Sequence, residues 1–216
     1  MRKKVYLVGA GIGDEKLITV KGLEKIKTAD VIIYDRLLND NLLSYAKDDC
    51  KKIYAGKKVS DHTIKQDGIN ELLVKYAKKE KMVVRLKGGD PYVFGRGSEE
   101  AMFLDKNNIA FEVVPGITSP IGGLSYAGIP ITTRDISSSF HVFTGHFKNN
   151  NKDKFDFESI VNLDGTIVFL MGMKNLEFIT ESLVENGMVK DKPVAIVQWA
   201  GFYKQRSIKG NLENIY

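Results

Sequence analysis

The chain has 216 residues, 43% of them hydrophobic and 27% charged, enough apolar material for a full core and for one domain or two small ones. No apolar run approaches the ~20 residues of a membrane span, and the stretch after Met1-Arg2-Lys3-Lys4 is too short for a signal-peptide core, so neither is expected; a single cysteine, Cys50, fits a reducing cytoplasm. The net charge of +5 is scattered in lysine pairs rather than gathered in one basic arm, and there is no RNA-binding signature or Cys/His metal spacing, so neither nucleic acid nor a metal is an expected partner.

Residues 5–8 read as a buried strand, followed by the turn Gly9-Ala10-Gly11-Ile12-Gly13-Asp14. A helix is predicted over 17–28, with Val20, Leu23 and Ile26 on one face. A second buried strand, 31–34, ends in Asp35-Arg36; a helical stretch over 42–46 precedes a third strand, 52–55, ending at Gly56-Lys57. Ile69, Leu72, Leu73 and Tyr76 mark the next helix, the apolar run 82–86 a fourth strand, and a helix over 98–105 leads to a fifth strand at 111–114. Pro115-Gly116 is the expected domain boundary, because the proline stops the strand and the glycine permits a bend; it divides the chain into 1–115 and 116–216. Beyond it lie a helix over 119–126, a turn at 128–131, strands at 140–143, 166–171 and 194–198, a helix over 176–185, and an alternating antiparallel strand at 204–209. The segment 148–154 reads as a polar surface loop. Nearly continuous apolar strands alternating with helices predict an α/β chain, its first half mainly a parallel sheet with helices on both faces and its second half a mixed sheet.

Parallel strands share one carboxyl edge, and ligands of open α/β sheets settle there. The stretch 86–100 carries four glycines, a proline, an acid and an arginine, a composition that lets the main chain turn tightly and approach a ligand. Asp35 and Lys57 end strands on the same edge, where a ligand contact and a surface ion pair are equally good readings. Arg96, between two glycines, favours ligand contact. Glu99 is open between ligand contact and complementing the helix dipole after the N-cap Ser98, and Glu100 is assigned to the dipole. Arg134-Asp135 reads as a local ion pair or a site, Met171 as core or cleft lining. Gly9-x-Gly11-x-Gly13 approaches a dinucleotide fingerprint, but Asp14 stands where its third glycine belongs, so a dehydrogenase is only a minor alternative.

In order, residues 9–14, Tyr34-Asp35-Arg36-Leu37, Gly56-Lys57, residues 85–100, 114–119 and 127–132 resemble the tetrapyrrole methylase family over essentially the whole chain. The run Arg85-Leu86-Lys87-Gly88-Gly89-Asp90-Pro91, continued by Val93-Phe94-Gly95-Arg96-Gly97, is the specific part. The resemblance implies a cytoplasmic homodimer of two-domain subunits with S-adenosylmethionine in the interdomain cleft and no metal. It is strongest to members that methylate uroporphyrinogen III at C2 and C7, giving precorrin-2 for sirohaem and cobalamin and releasing S-adenosylhomocysteine. Mapped by motif, cofactor contacts fall on Ile12, Gly88, Gly89, Asp90, Val93, Thr118, Ser119, Met171 and Ala200. Asp35 becomes proton acceptor and Lys57 proton donor, with Arg96 a further catalytic candidate, and substrate contacts fall on Arg96, Glu99, Arg134 and Met171; Arg36 joins them as compensating charge for the substrate's carboxylates. A sibling corrin methylase and a non-catalytic S-adenosylmethionine-binding module are the alternatives. The chain departs from the family in having Ile12 where proline is usual. The family pattern also continues past Tyr216 into another strand, so the second half is expected to be truncated at its C-terminus.

Overall fold

Short runs of β-branched residues separated by amphipathic stretches set the order of elements. The computed structural model describes residues 4–56, 65–79, 81–147 and 155–216, which leaves Lys57 and the loop 148–154 outside the described residues. The chain divides into two compact units, Met1–Gly122 and Gly123–Tyr216.

In the first unit β1 (Val5–Gly9), α1 (Val20–Thr28), β2 (Val31–Tyr34), β3 (Lys51–Tyr54), α2 (Gln66–Lys78), β4 (Val83–Lys87), α3 (Gly97–Lys106), β5 (Phe111–Val114) and the start of α4 (Ser119–Tyr126) follow one another. The five strands are all parallel, in the order β3-β2-β4-β1-β5. Because strand side chains alternate, Val8, Ile32, Val84, Leu86 and Val114 meet Ile26, Leu38 and Leu42 on one face. Val5, Leu7, Val31, Ile33 and Val83 meet Ile69, Leu73 and Val74 of α2 and Ala101 and Leu104 of α3 on the other.

Three local expectations need correction. The helix predicted from 17 starts at Val20, because the Thr19 hydroxyl accepts from the Gly22 N–H at 3.1 Å and caps it, while Glu15–Leu17 form a separate 3-10 turn capped by Asp14. The helical stretch near 42–46 is a 3-10 helix, Asp40–Tyr45, whose N-cap Asn39 accepts from the Asn41 N–H. The third strand is not apolar throughout: β3 is an edge strand opening with exposed Lys51 and Lys52, which is how an edge is kept from pairing with another chain.

The amino ends of β2 and β4 are joined by Asp30, whose carboxylate accepts from the Met82 N–H at 2.8 Å and from Lys47 Nζ at 2.9 Å. The Met82 N–H, and then Lys47, hold this carboxyl below its ordinary value. A lowered folded value means that its stabilisation is complete above the ordinary 3.8 and is lost as the pH falls below it. Asp30→Ala is expected to cost about 1–2 kcal/mol at neutral pH in urea unfolding, with the deficit shrinking in acid.

In the second unit β6 (Phe140–Thr144), α5 (Phe157–Val161), β7 (Thr166–Leu170), α6 (Leu176–Glu185), β8 (Pro193–Gln198) and β9 (Arg206–Asn211) follow the end of α4. Among the described residues β6 and β7 pair in parallel and β8 and β9 antiparallel, so the mixed pairing expected there is divided between two separate ribbons. Phe157, Ile160, Ile179, Leu183 and Leu212 form the core, packed round by Phe143, Phe147, Phe155, Phe169 and Phe178. The short α5 has no counterpart in the expected elements; Asp156 caps it, accepting from the Ser159 N–H at 2.9 Å. The strand expected from 204 starts at Arg206, because Gln205 accepts from the Gly201 N–H and donates to the Tyr126 carbonyl, holding the preceding residues in a turn.

Candidate active site

Three loops leave the carboxyl edge of the first sheet and touch through glycines. A Cβ on Gly9, at the end of β1, would lie 2.6 Å from the Gly116 Cα beyond β5 and equally close to the Gly89 carbonyl beyond β4. Hydrogen bonds fix the contact: the Ala10 N–H donates to the Lys87 carbonyl at 2.7 Å, and Gly11 and Gly89 exchange N–H···O bonds of 3.2 and 2.7 Å. Asp90 braces the same loops, its carboxylate accepting from the N–H groups of Tyr92 at 2.8 Å and Gly116 at 3.0 Å. Gly89 has φ +68°, the left-handed region, and the nearest atoms to a Cβ placed there are Thr118 Cα at 3.9 Å and the Ser119 nitrogen at 4.0 Å. Gly88, Gly89, Asp90, Thr118 and Ser119 are thereby brought together at one edge of the sheet. Ile12 is buried beside them, and its Cδ1 lies 3.0 Å from where a Cβ on Gly122 would stand. Gly116→Ala drives a methyl into the Gly89 carbonyl; the expected result is a loss of about 2–3 kcal/mol in urea unfolding.

The loop continues through Phe94 and Arg96, both non-glycine residues with positive φ, 53° and 58°. Such backbone persists only where its surroundings over-determine it. Here the Gly97 N–H donates to the Pro91 carbonyl at 2.9 Å, and a Cβ on Gly95 would lie 2.7 Å from that same oxygen. Arg96 is the residue preceding α3, and it forms a two-pronged pair with Glu99, Nε to Oε1 at 2.8 Å and Nη2 to Oε2 at 2.6 Å. The bond from Glu99 holds the guanidinium above its ordinary range. Both side chains are about half exposed, 56% and 50%, so a ligand carboxylate can reach this fork. Val93 is exposed on the same loop.

Beneath that loop lies a cluster of buried charge. Arg85 and Lys87 are two apart on β4 and so share the face that α2 and α3 cover; both are buried, as is Glu100 of α3. Glu100 Oε1 accepts from Arg85 Nε at 2.9 Å, Lys87 Nζ at 3.0 Å and Gln66 Nε2 at 3.2 Å, whereas Oε2 has no partner among the described residues. Burial opposes the Arg85 charge, but Glu100 and Asp35 outweigh it and hold the guanidinium above its ordinary range. Burial, helped by Arg85, pushes Lys87 down despite Glu100. Glu100 is therefore no dipole complement at a helix surface, as the sequence reading had it, but the counter-ion of two buried cations. Sequence reasoning missed all three residues, although Arg85 at a core-facing position of an apolar strand, with Lys87 two places on, was the available signal.

Asp35, just past β2, is tied to this cluster: its Oδ1 accepts from Arg85 Nη2 at 2.7 Å, and its side chain is 28% exposed. Arg36, next in the chain, is exposed. The second unit holds the remaining sequence-derived candidates at strand ends and turns. Arg134 is exposed in the turn closed by Thr133 and Ser137. Met171 follows β7 with φ 61° and is exposed, and Ala200 follows Trp199, whose φ is 55°, after β8.

The family model described as Tetrapyrrole (Corrin/Porphyrin) Methylases matches residues 4–216. A uroporphyrinogen-III C-methyltransferase of Methanocaldococcus jannaschii is 52% identical over 216 residues, covering 100% of this chain and 89% of the relative. One from Priestia megaterium is 50% identical over 212 residues, covering 98% and 89%. Among solved structures, the uroporphyrin-III C-methyl transferase from Thermus thermophilus complexed with S-adenyl homocysteine is similar with a TM-score of 0.83 at 36% identity, covering 98% of this chain and 90% of that one.

Proposed function

This chain belongs to the tetrapyrrole methylase family, and from that premise we propose that it transfers methyl groups from S-adenosylmethionine to C2 and C7 of uroporphyrinogen III, giving precorrin-2 for sirohaem and cobalamin biosynthesis. The observation that carries the reading is the knot of Gly9, Gly89 and Gly116, where three loops meet main chain to main chain at the carboxyl edge of the sheet, the edge at which open α/β sheets take their ligands.

The residues at that edge fit the donor. Backbone there is neutral, so it adds no cationic charge beside a sulfonium. Gly88, Gly89, Asp90, Val93, Thr118, Ser119 and Ile12 are assigned to hold it, with Met171 and Ala200 assigned by family resemblance. When bound, S-adenosylmethionine supplies an electrophilic methyl group for in-line displacement, so the protein's main task is alignment. Asp35 is assigned the proton that the pyrrole nitrogen must shed, since its carboxylate is partly exposed and fixed at one oxygen. Lys57, assigned by resemblance as proton donor, lies outside the described residues. Arg36, Arg96 and Arg134 are assigned to the many carboxylates of the substrate, for which a planar guanidinium fork is suited. At Arg96 a substrate carboxylate competes with Glu99 for the fork. No described helix is long and apolar enough to cross a membrane. A cytoplasmic location is supported by the lone, buried Cys50, and a homodimer by the family resemblance.

The deciding experiment incubates the protein with uroporphyrinogen III and S-adenosylmethionine and follows the precorrin-2 absorbance. Folded protein that binds S-adenosylhomocysteine in calorimetry yet forms no precorrin-2 would overturn the reading in favour of a sibling substrate or a non-catalytic binder. Within it, Arg96→Ala is expected to raise KM for uroporphyrinogen about ten-fold or more, the worth of one charge-assisted fork, while S-adenosylhomocysteine affinity stays within about two-fold.

A further inference from the structure

We propose that Arg85 is a positioning residue for Asp35: a guanidinium buried in the sheet, anchored by Glu100, that sets the attitude of the carboxylate at the mouth of the site. The proposal rests on Asp35 being the acceptor of the pyrrole proton.

Every nitrogen of the Arg85 guanidinium is engaged. Nε meets Glu100 Oε1 at 2.9 Å, Nη1 meets the carbonyls of Ile33 and Leu86 at 3.3 Å each, and Nη2 meets Asp35 Oδ1 at 2.7 Å. The fork is planar and rigid, so anchoring it to α3 and to the main chain of β2 and β4 leaves one direction for the remaining prong. Only one oxygen of Asp35 is taken; Oδ2 has no protein partner among the described residues and stays available for a proton. The charges agree with this link. Glu100 faces two cations, Arg85 and Lys87, and Asp35 supplies the second negative charge. A brace serving the core alone would end at Glu100, whereas this one reaches out to a partly exposed carboxylate at the strand end. General-base catalysis depends on the carboxylate lying in the right attitude, and a misplacement of about 1 Å costs on the order of 100-fold in rate.

The test uses the full chain with four variants: Asp35→Asn, Asp35→Glu, Arg85→Lys and the double variant Asp35→Asn/Arg85→Lys. Arg85→Lys keeps a cation for Glu100 and removes the fork. It is expected to lower kcat about 10- to 100-fold, with KM for uroporphyrinogen and S-adenosylhomocysteine affinity within about two-fold of wild type. Added to Asp35→Asn, it is expected to cost the residual turnover nothing further, because a residue acting through Asp35 has nothing left to position. Asp35→Glu retains a carboxylate but displaces it, and is expected to lose at least about ten-fold in kcat. Wild-type kcat in Arg85→Lys, or a full additional loss in the double variant, overturns the positioning role while leaving Asp35 as the base. Wild-type turnover in Asp35→Asn removes the base and this proposal with it. If Arg85→Lys does not fold, Arg85→Gln, a neutral side chain without the fork, is measured in its place alone and with Asp35→Asn: wild-type kcat in the single variant, or a full additional loss in the double, overturns the proposal, and wild-type kcat in Asp35→Glu overturns it as well, because the attitude of the carboxylate would then not matter.

Discussion

Glu100→Ala is expected to cost about 3–5 kcal/mol of stability, a large share of the 5–15 kcal/mol that typically holds a domain folded. The carboxylate has no exposed surface, and one of its oxygens accepts from Arg85, Lys87 and Gln66 together. Truncation leaves two cations in a low-dielectric interior with Asp35 as the remaining carboxylate of the cluster. Lys87, already pushed down by burial, can shed its proton and relieve part of the cost. Arg85 has no such escape, because guanidinium keeps its proton under all ordinary conditions. Urea unfolding at neutral pH checks the figure. Glu100→Gln, which keeps the shape and one acceptor, is expected to lose clearly less, and a loss in Glu100→Ala under about 1 kcal/mol would show that the cluster does not carry this charge balance.

Asp35→Asn is expected to lower turnover about 100- to 10,000-fold, the usual worth of a general base. The amide retains the oxygen that accepts from Arg85, so the local geometry survives and only the capacity to take a proton is removed. Folding is expected to be nearly normal, within about 1 kcal/mol, because the side chain is partly exposed rather than core. S-adenosylhomocysteine affinity, assigned under the proposed function to the loops at Gly89 and Gly116, is expected to stay within about two-fold. Measuring kcat, unfolding and product affinity on the same preparation separates the three quantities, and wild-type turnover would remove Asp35 as the acceptor.

The parallel sheet and its carboxyl edge were legible because periodicity and apolar runs report burial directly: Val5–Gly9, Val31–Tyr34 and Phe111–Val114 stand where their patterns put them. The glycines at 88 and 89 were legible as unusual backbone for the same kind of reason: Gly89 takes positive φ, and a Cβ on Gly88 would lie 2.5 Å from the Leu37 carbonyl oxygen. The buried charges were not. Whether Arg85 is exposed depends on Glu100 and Asp35, 15 and 50 positions away in the chain, and no local window contains all three. Glu100 follows Ser98 and Glu99 at the start of a helix, so a local reading takes it for a dipole partner; only the packing of α3 against β4 turns it inward. Positive φ at Phe94, Arg96, Met171 and Trp199 was equally hidden, because none is glycine and the strain is imposed by surroundings rather than chosen by the residue. The chemical roles came from the family resemblance, not from pattern.

The strand order has a consequence for how the enzyme comes into being. β1 is made before the other four strands of its sheet, yet its neighbours are β4 and β5, Val5 lying opposite Val83 and Phe111. Parallel pairing across such long stretches is intrinsically slow, since chain entropy must be surrendered before the contacts form. The meeting of residues 9, 89 and 116 therefore cannot exist in any fragment that ends before 116. Under the proposed function, a nascent chain is therefore blind to its methyl donor until the last of the five strands has docked. A ligand that recognises only the finished form then adds RT ln(1 + [L]/Kd) to its stability, so on that proposal abundant S-adenosylmethionine acts on this unit as a clasp closed after assembly rather than as a template for it.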